Sequence, residues 1–444
     1  VLQAADVELV DRDPGVPGLG AVLDPEPLME RLTGPLPPGA EGPARVRTDY
    51  LRYKPGTGVT GTLVLEYPGA GVRFARVTAL APEPGGGKLD KEIDYARRRG
   101  GRAPDHRVDV SQLSVPEWDG PIVDRGLSLV VVPPLDDRGV PAVRHFAAAP
   151  EAFTSPGARR VRTLRYKPGR RWVGRVDDAE GRPTHAVRCR AGSVNVAAHI
   201  ALAGAGLPVP DLTRISRHGV LATRWIPGES MEALLEAGGR EAARAPLAGA
   251  GALLARVHGV ATPRELPAVE TGSEFGESGA LGGLGGAVRA VTALLPGLEE
   301  RTEALARACA PVLTDPAAPR TLVHGDFSAD QVLIGASGLA LIDLDRVRAA
   351  NPAVDLASFA AAEIAAGRTA PGTAPAAALG PLLEGYLATA SAAAADRLRH
   401  DLPAHTAAAL LRRATDPFRH RAPEWDSRVR ALIAAAEASL PRRS

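Results

Sequence analysis

Residues 321–346, TLVHGDFSADQVLIGASGLALIDLDR, hold the side chains best suited to chemistry. His324, Asp326 and Gln331 share one polar loop between the apolar runs TLV and VLI, and Asp343 and Asp345 follow a further apolar run, ALI. Short apolar runs interrupted in this way read as strands, with the polar residues at strand ends. Phosphoryl transfer asks little more of a protein. It needs a carboxylate to orient an acceptor hydroxyl and take its proton, and oxygen ligands for the magnesium that neutralises the phosphates. Asp326 suits the first task; the Gln331 amide oxygen and the Asp343 carboxylate suit the second. Taken one at a time, each residue has a plainer use. His324 would brace the loop, Asp326 would cap a turn, and Asp343 and Asp345 would be surface residues. Their combination in one short segment points to a catalytic loop.

That segment resembles the aminoglycoside phosphotransferase/choline kinase family, which shares the protein-kinase fold. The family pattern is His-Gly-Asp, four residues, Asn, then a strand and Asp-Phe/Leu-Asp/Gly. HGDFSADQ keeps His324, Gly325 and Asp326, with Gln331 in place of Asn; maltokinases, a branch of the family, are similar in having Gln there. In IDLDR, Asp343 takes the metal slot with Asp345 behind it, and in NPAVDLASF, Asp355 matches the acid that braces the loop. LLARVH looks like the helix before this core. The resemblance covers about residues 160–435. It implies an α+β, bilobal protein-kinase-like fold with a β-rich N-lobe and a helical C-lobe. It also implies ATP or GTP with Mg²⁺, Asp326 and His324 in the catalytic loop, Gln331 and Asp343 on the metal, Asp345 and Asp355 in support, and an alcohol acceptor.

Positioning such a loop requires the rest of the chain, whose clearest feature is a repeat. LRYKPG occurs at Leu51–Gly56 and again at Leu164–Gly169, each time between β-rich runs. Later anchors, Pro116, Gly126 and Pro133, match Pro210, Gly219 and Pro227, with equal spacing of the outer prolines. The first copy is longer, the surplus falling in PEPGGGKLDKEIDYARRRGG. The expected organisation is an N-terminal cap module resembling a duplicated N-lobe at 1–150, the kinase N-lobe at 151–230 and the helical C-lobe at 231–444. The cap would dock on the working lobe or bind an acceptor or partner. In the second copy, KPGRR would turn over the phosphates with Arg170 and Arg171, and LATRWIPGES would be the hinge, offering Thr223, Arg224 and Trp225 to the adenine. The lysine–glutamate pair of such kinases is missing. The last of four lysines is Lys167, so Arg188 falls at the lysine position, although its planar fork is no equivalent. No glutamate lies between Glu180 and Glu229, and the helix that should carry one offers Asn195 and His199.

Composition narrows the partners. The 444 residues carry a formal net charge of +2 and are 45% hydrophobic, which supports a sizeable core and gives no general pull toward nucleic acid or acidic membrane. The run Arg97–Arg99 reads as a solvated face. Two cysteines, Cys189 and Cys309, make no disulfide framework, no stretch has the length of a membrane helix, and the first residues lack a signal-peptide layout. A cytoplasmic enzyme is expected. TGSEFGESGALGGLGGA reads as a surface linker and GRTAPGTAPAAALG as a flexible connection. Glu232, Glu236, Glu363 and Glu384 look scattered, so a sugar or aminoglycoside-like acceptor is left open. Two alternatives remain: a Ser/Thr kinase of a ribosomal peptide with a lyase partner, and a nucleotide- or protein-binding pseudokinase.

Overall fold

The computed structural model describes residues 2–28, 32, 42–68, 71–83, 87–99, 107–115, 118, 120–192, 194, 196–264, 266, 280–370 and 372–441. The chain forms two compact units. The first comprises Val1–Val194, Asp211–Trp225 and Pro417–Trp425; the second comprises Asn195–Pro210, Ile226–Asp416 and Asp426–Ser444.

The first unit holds two five-stranded antiparallel sheets of one topology. Strands β1 (Arg45–Lys54), β2 (Gly58–Tyr67), β3 (Gly71–Leu80), β4 (Ile122–Asp124) and β5 (Leu129–Val132) take the order β1-β2-β3-β5-β4. Strands β6 (Ala158–Lys167), β7 (Arg171–Asp178), β8 (Pro183–Arg190), β9 (Leu212–Ile215) and β10 (Val220–Arg224) take the order β6-β7-β8-β10-β9. The hexapeptide ends β1 and β6, and each copy turns directly into the next strand. Side chains alternate between faces along a strand, so one extra residue moves the alternation on by one. In β6 the pairing shifts between Thr163 and Arg165, and Leu164 is 49% exposed. In β1 the shift comes earlier, between Thr48 and Tyr50, and the twin Leu51 is 0% exposed.

The repeat extends beyond the hexapeptide. Asp13-Pro14-Gly15-Val16-Pro17 and Asp137-Arg138-Gly139-Val140-Pro141 form the same turn, with Val16 N–H on the Asp13 carbonyl (3.1 Å) and Val140 N–H on the Asp137 carbonyl (3.0 Å). Each turn leads into a short helix, Leu19–Leu23 and Ala142–Ala147. One expected anchor is out of step. The turn residue before β10 is Gly219 (φ 88°), but its counterpart before β5 is Ser128 (φ 48°), not Gly126; the two close matching turns onto Ser216 and Arg125. Pro116 lies outside the described residues. Much of the surplus in the first copy is a helix, Gly87–Arg99, whose Leu89, Ile93 and Ala96 pack on Val130 and Val132. The segment Pro417–Trp425 is tied into this unit by Asp6. That buried carboxylate accepts two bonds from Arg421 (2.8 and 2.6 Å) and one from Trp425 Nε1 (3.0 Å).

The second unit is mainly helical. Its core joins Leu247, Leu254 and Val257 of the helix Arg244–His258 to Leu356 and Phe359 of Ala353–Ala365, with Phe327, Leu382 and Leu402. The helices Arg244–His258 and Pro381–Leu387 approach through glycine: a Cβ on Gly251 would lie 1.9 Å from the Leu382 carbonyl oxygen. Strands β11 (Glu229–Ser230), β13 (Val332–Gly335) and β14 (Gly338–Leu341) form one small sheet, and β12 (Thr321–Val323) pairs with β15 (Arg348–Ala350). Of the glycine-rich stretch expected as a linker, residues 271–279 lie outside the described residues. From Ala280 it is the start of the helix Ala280–Leu294, because Leu284, Val291 and Leu294 bury one apolar side. Likewise the helix Pro375–Leu379 occupies part of the expected flexible connection, anchored by buried Ala378 and Leu379. No helix among the described residues is long and apolar enough to cross a membrane. Both cysteines are free and buried.

Candidate active site

The loop between β12 and β13 is fixed from beneath by one buried carboxylate. Asp355, in the first turn of Ala353–Ala365, accepts from the backbone N–H groups of His324 and Gly325 (2.7 Å each) and from His258 Nε2 (3.0 Å). His258 in turn bonds Tyr386 Oη at 2.8 Å. Burial alone would raise the Asp355 pKa; hydrogen bonding and charge from His258, with the Gly325 N–H, hold it below the usual carboxylate value. Burial, and then the Asp355 charge, push the Tyr386 phenol up to about 12. Gly325 takes φ 82° and lies so close to the Arg346 carbonyl that a Cβ could not be accommodated, which explains glycine within His-Gly-Asp.

The loop meets the end of β14 through the backbone of Ile342. Ile342 N–H donates to the Gln331 carbonyl (3.0 Å), and His324 Nε2 donates to the Ile342 carbonyl (2.9 Å). The next residue is Asp343, held at φ 61°, ψ 54°, a conformation that non-glycine residues seldom adopt. His324, Gln331 and Asp343 are therefore brought together, with Asp326 one residue beyond the braced Gly325. Gln331 Nε2 donates to Asp330 Oδ2 (2.7 Å), which turns its amide oxygen away from that contact. The Asp326 side chain is 33% exposed and faces Arg346 Nη1 at 3.4 Å and Arg413 Nη2 at 4.0 Å. Asp345 follows in the short 3₁₀ turn Leu344–Arg346 and is half-buried.

The acids that look scattered in sequence are partly gathered. Arg368 bonds buried Glu363 at 2.8 Å and lies 3.7 Å from Glu232 and 3.8 Å from Glu236; Glu384 stands apart on Arg244. Burial first, then the nearby Asp330 charge, raise the Glu232 pKa.

The residues expected at the nucleotide belong to the first unit. Register places Arg171 opposite Arg190 and Val173 opposite Arg188, so Arg171, Arg188 and Arg190 share one face of the second sheet. Arg170 is exposed in the β6–β7 turn beside Gly169 (φ 67°). The hinge stretch is less open than the sequence suggests. Arg224 N–H already donates to the Asp211 carbonyl (2.9 Å) and Trp225 N–H to the Thr184 carbonyl (3.0 Å), while Thr223 is buried opposite Ala186. The Trp225 ring lies 6.0 Å from the Arg175 guanidinium. His199 bonds the Pro210 carbonyl, and Asn195 is outside the described residues. Sequence reasoning missed Arg346 and Arg413 at Asp326 and Asp330 beside Gln331. It also missed His258 and Tyr386 beneath the loop, although His258 ends the LLARVH match.

A model of the phosphotransferase enzyme family matches residues 155–399, more than half of the chain, and the chain belongs to that family. It is thus a phosphotransferase acting on a hydroxyl group, and its architecture is mixed α+β. The match begins just before β6 and leaves out the first sheet. No curated protein sequence matches the chain significantly. Among solved structures, a glucosamine kinase is 18% identical, with 95% of this chain and 97% of that chain covered and a TM-score of 0.44. A choline/ethanolamine kinase family protein from Mesorhizobium loti is 16% identical, covering 65% of this chain and 88% of that one, at TM-score 0.45. An ethanolamine kinase from Plasmodium vivax is 9% identical, covering 66% and 88%, at TM-score 0.47.

Proposed function

We propose that the protein moves the γ-phosphoryl group of ATP to a hydroxyl of a sugar- or aminoglycoside-like small molecule, with Asp326 as the base. The acceptor oxygen bonds to the γ-phosphorus as the bond to the ADP oxygen breaks, and the hydroxyl proton passes to the Asp326 carboxylate. His324 holds the loop through its bond to Ile342, and Asp355 supports both. The clamp on Ile342 carries the proposal, because it joins the loop of the base to the backbone that presents Asp343.

The donor set suits magnesium. Among the described residues no cluster of three or more His, Cys, Asp or Glu is arranged to hold a metal. Magnesium bound with a nucleotide commonly takes only one or two protein oxygens, the rest coming from phosphate and water. Gln331 and Asp343 are the residues to supply them, since Asp330 occupies the Gln331 amide nitrogen and leaves its oxygen to face elsewhere. When bound, the ion would neutralise charge on the phosphate oxygens. Arg170, Arg171 and Arg188 are the cations of the second sheet assigned to the triphosphate.

The test is ADP release with Mg²⁺ across a panel of sugars, amino sugars and aminoglycosides. Asp326→Asn should cut turnover by about 10²–10⁴-fold while nucleotide binding persists. An unchanged rate would remove Asp326 as the base, and wild-type protein that neither binds ATP nor releases ADP would defeat the proposal.

A further inference from the structure

The two copies of the hexapeptide are fastened in the same way. In the first, Tyr53 Oη and Gly56 N–H both donate to Asp13 Oδ2, at 2.7 and 2.9 Å. In the second, Tyr166 Oη and Gly169 N–H both donate to Asp137 Oδ2, at 2.8 and 2.7 Å. Each aspartate opens one of the repeated Asp-x-Gly-Val-Pro turns. The tyrosine and glycine of LRYKPG are thus two donors to a single carboxylate oxygen, which gives that repeated spelling a physical cause.

The second latch is the deeper one. Asp137 is 1% exposed, and its Oδ1 accepts from Gly139 N–H (2.9 Å) and Arg76 Nη1 (3.2 Å). Arg76 projects from β3 and also pairs with Glu92 of the helix Gly87–Arg99. Asp137 therefore has four donors, one of them a buried cation that it shares with Glu92. Two more contacts hold the same turn. Thr62 Oγ1 of β2 donates to the Tyr166 carbonyl (3.0 Å), and Gly139 lies so near Gly169 that a Cβ on it would come within 2.5 Å of the Gly169 Cα. The β6–β7 turn is pinned from the first sheet and from the segment that follows β5.

We propose that Asp137 is a positioning residue for ATP: acting through Tyr166 and Gly169, it fixes the β6–β7 turn that presents Arg170 and Arg171 to the phosphates, so that the front module sets nucleotide affinity. This rests on the assignment of the second sheet to ATP. A turn already held in its bound form spares the ligand the cost of ordering it. The front latch, on a sheet outside the family match, holds a turn with no assigned ligand, so it serves as an internal control.

The experiment compares full-length Asp137→Asn and Tyr166→Phe with their twins Asp13→Asn and Tyr53→Phe. Binding of Mg·ATP is titrated calorimetrically, KM for ATP and for the acceptor found in the turnover screen are measured, and Tm is recorded for each. Asp137→Asn should raise the Kd and KM for ATP about tenfold, and Tyr166→Phe about threefold, with the acceptor KM unchanged. The twins should lower Tm yet leave ATP affinity within about twofold of wild type. If Asp137→Asn does not fold, Tyr166→Phe against Tyr53→Phe decides. ATP affinity that is unmoved in the second-latch variants, or weakened equally by the twins, overturns the inference while leaving the kinase assignment intact. Wild-type protein that binds no ATP would instead defeat that assignment, and the inference with it.

Discussion

Asp355→Asn is the sharpest test of how the catalytic loop is held. Asp355 is wholly buried and accepts three bonds, at 2.7, 2.7 and 3.0 Å, from His324 N–H, Gly325 N–H and His258. Asparagine has one acceptor oxygen, so it can keep one group of these bonds while its NH₂ is turned against an N–H donor. Hydrogen bonds to a charged group contribute about 1.5–3 kcal/mol each, and leaving a buried donor unpaired costs about 1–3 kcal/mol. Together with the loss of the buried partner of His258, a total of about 3–5 kcal/mol is expected. Amide hydrogen exchange at His324 and Gly325 reads this directly: protection there should fall by about 100- to 4,000-fold, at roughly 1.4 kcal/mol per tenfold. Protection within tenfold of wild type at both amides would refute the bracing role. The pH dependence has a definite sign. The folded pKa of Asp355 is depressed. Its contribution is therefore fully present above the unfolded carboxylate value of about 3.9, and is lost as pH falls through the lower, folded value. Wild-type protection should fall off in that acid window, and the variant should lack the corresponding limb.

Three further outcomes follow from other parts of the molecule. Gln331→Ala should raise the magnesium concentration needed for half-maximal turnover by about tenfold, as expected for loss of one oxygen ligand; an unchanged magnesium titration removes Gln331 from the metal. Asp6→Ala leaves Arg421 and Trp425 Nε1 without their shared acceptor, and should destabilise the first unit by about 3–5 kcal/mol. Limited proteolysis within residues 417–425 should speed up accordingly, and unchanged cleavage would count against the tie. Gly251→Ala puts a methyl group against the Leu382 carbonyl and should cost at least about 1–3 kcal/mol in urea unfolding; an unchanged midpoint would mean that the two helices separate without strain.

The catalytic loop was legible because its chemistry is local. His324, Gly325, Asp326 and Gln331 lie within one loop, and the short apolar runs around them fix the strands. The groups that brace it were harder to see. His258, Tyr386 and Arg413 are far apart in sequence and meet only through packed helices, so spacing along the chain carries no sign of them. The second copy has no glutamate for Arg188 in the expected helix, whereas in the front sheet Arg76 pairs with Glu92, within a segment that looks like a surplus in the sequence. Arg76 and Arg188 are not twins either: register sets Arg76 opposite Thr62 and Arg188 opposite Val173, two residues further along their sheets.

The repeat shows how little sequence is needed to specify one device twice. Six identical residues were visible, but only Tyr53, Gly56, Tyr166 and Gly169 use their identity to reach the latch; Leu51 and Leu164 end in opposite environments because the bulges fall at different places. The matching Asp-x-Gly-Val-Pro turns escaped notice because each precedes its hexapeptide by a different length of chain and shares only four residues. Tyrosine hydroxyl, glycine amide and carboxylate form one hydrogen-bonded set in each copy. Burial pushes the Tyr53 and Tyr166 phenols up, and the aspartate charge beside each pushes further, so both remain donors. Without Asp137 the buried Tyr166 hydroxyl would lose its partner, whereas Asp137 without Tyr166 and Gly169 would still have Arg76 and Gly139 N–H. In the first copy Asp13 and Tyr53 are only half-buried, so water can replace a lost partner there, and the coupling between tyrosine, glycine and aspartate is strongest in the second copy.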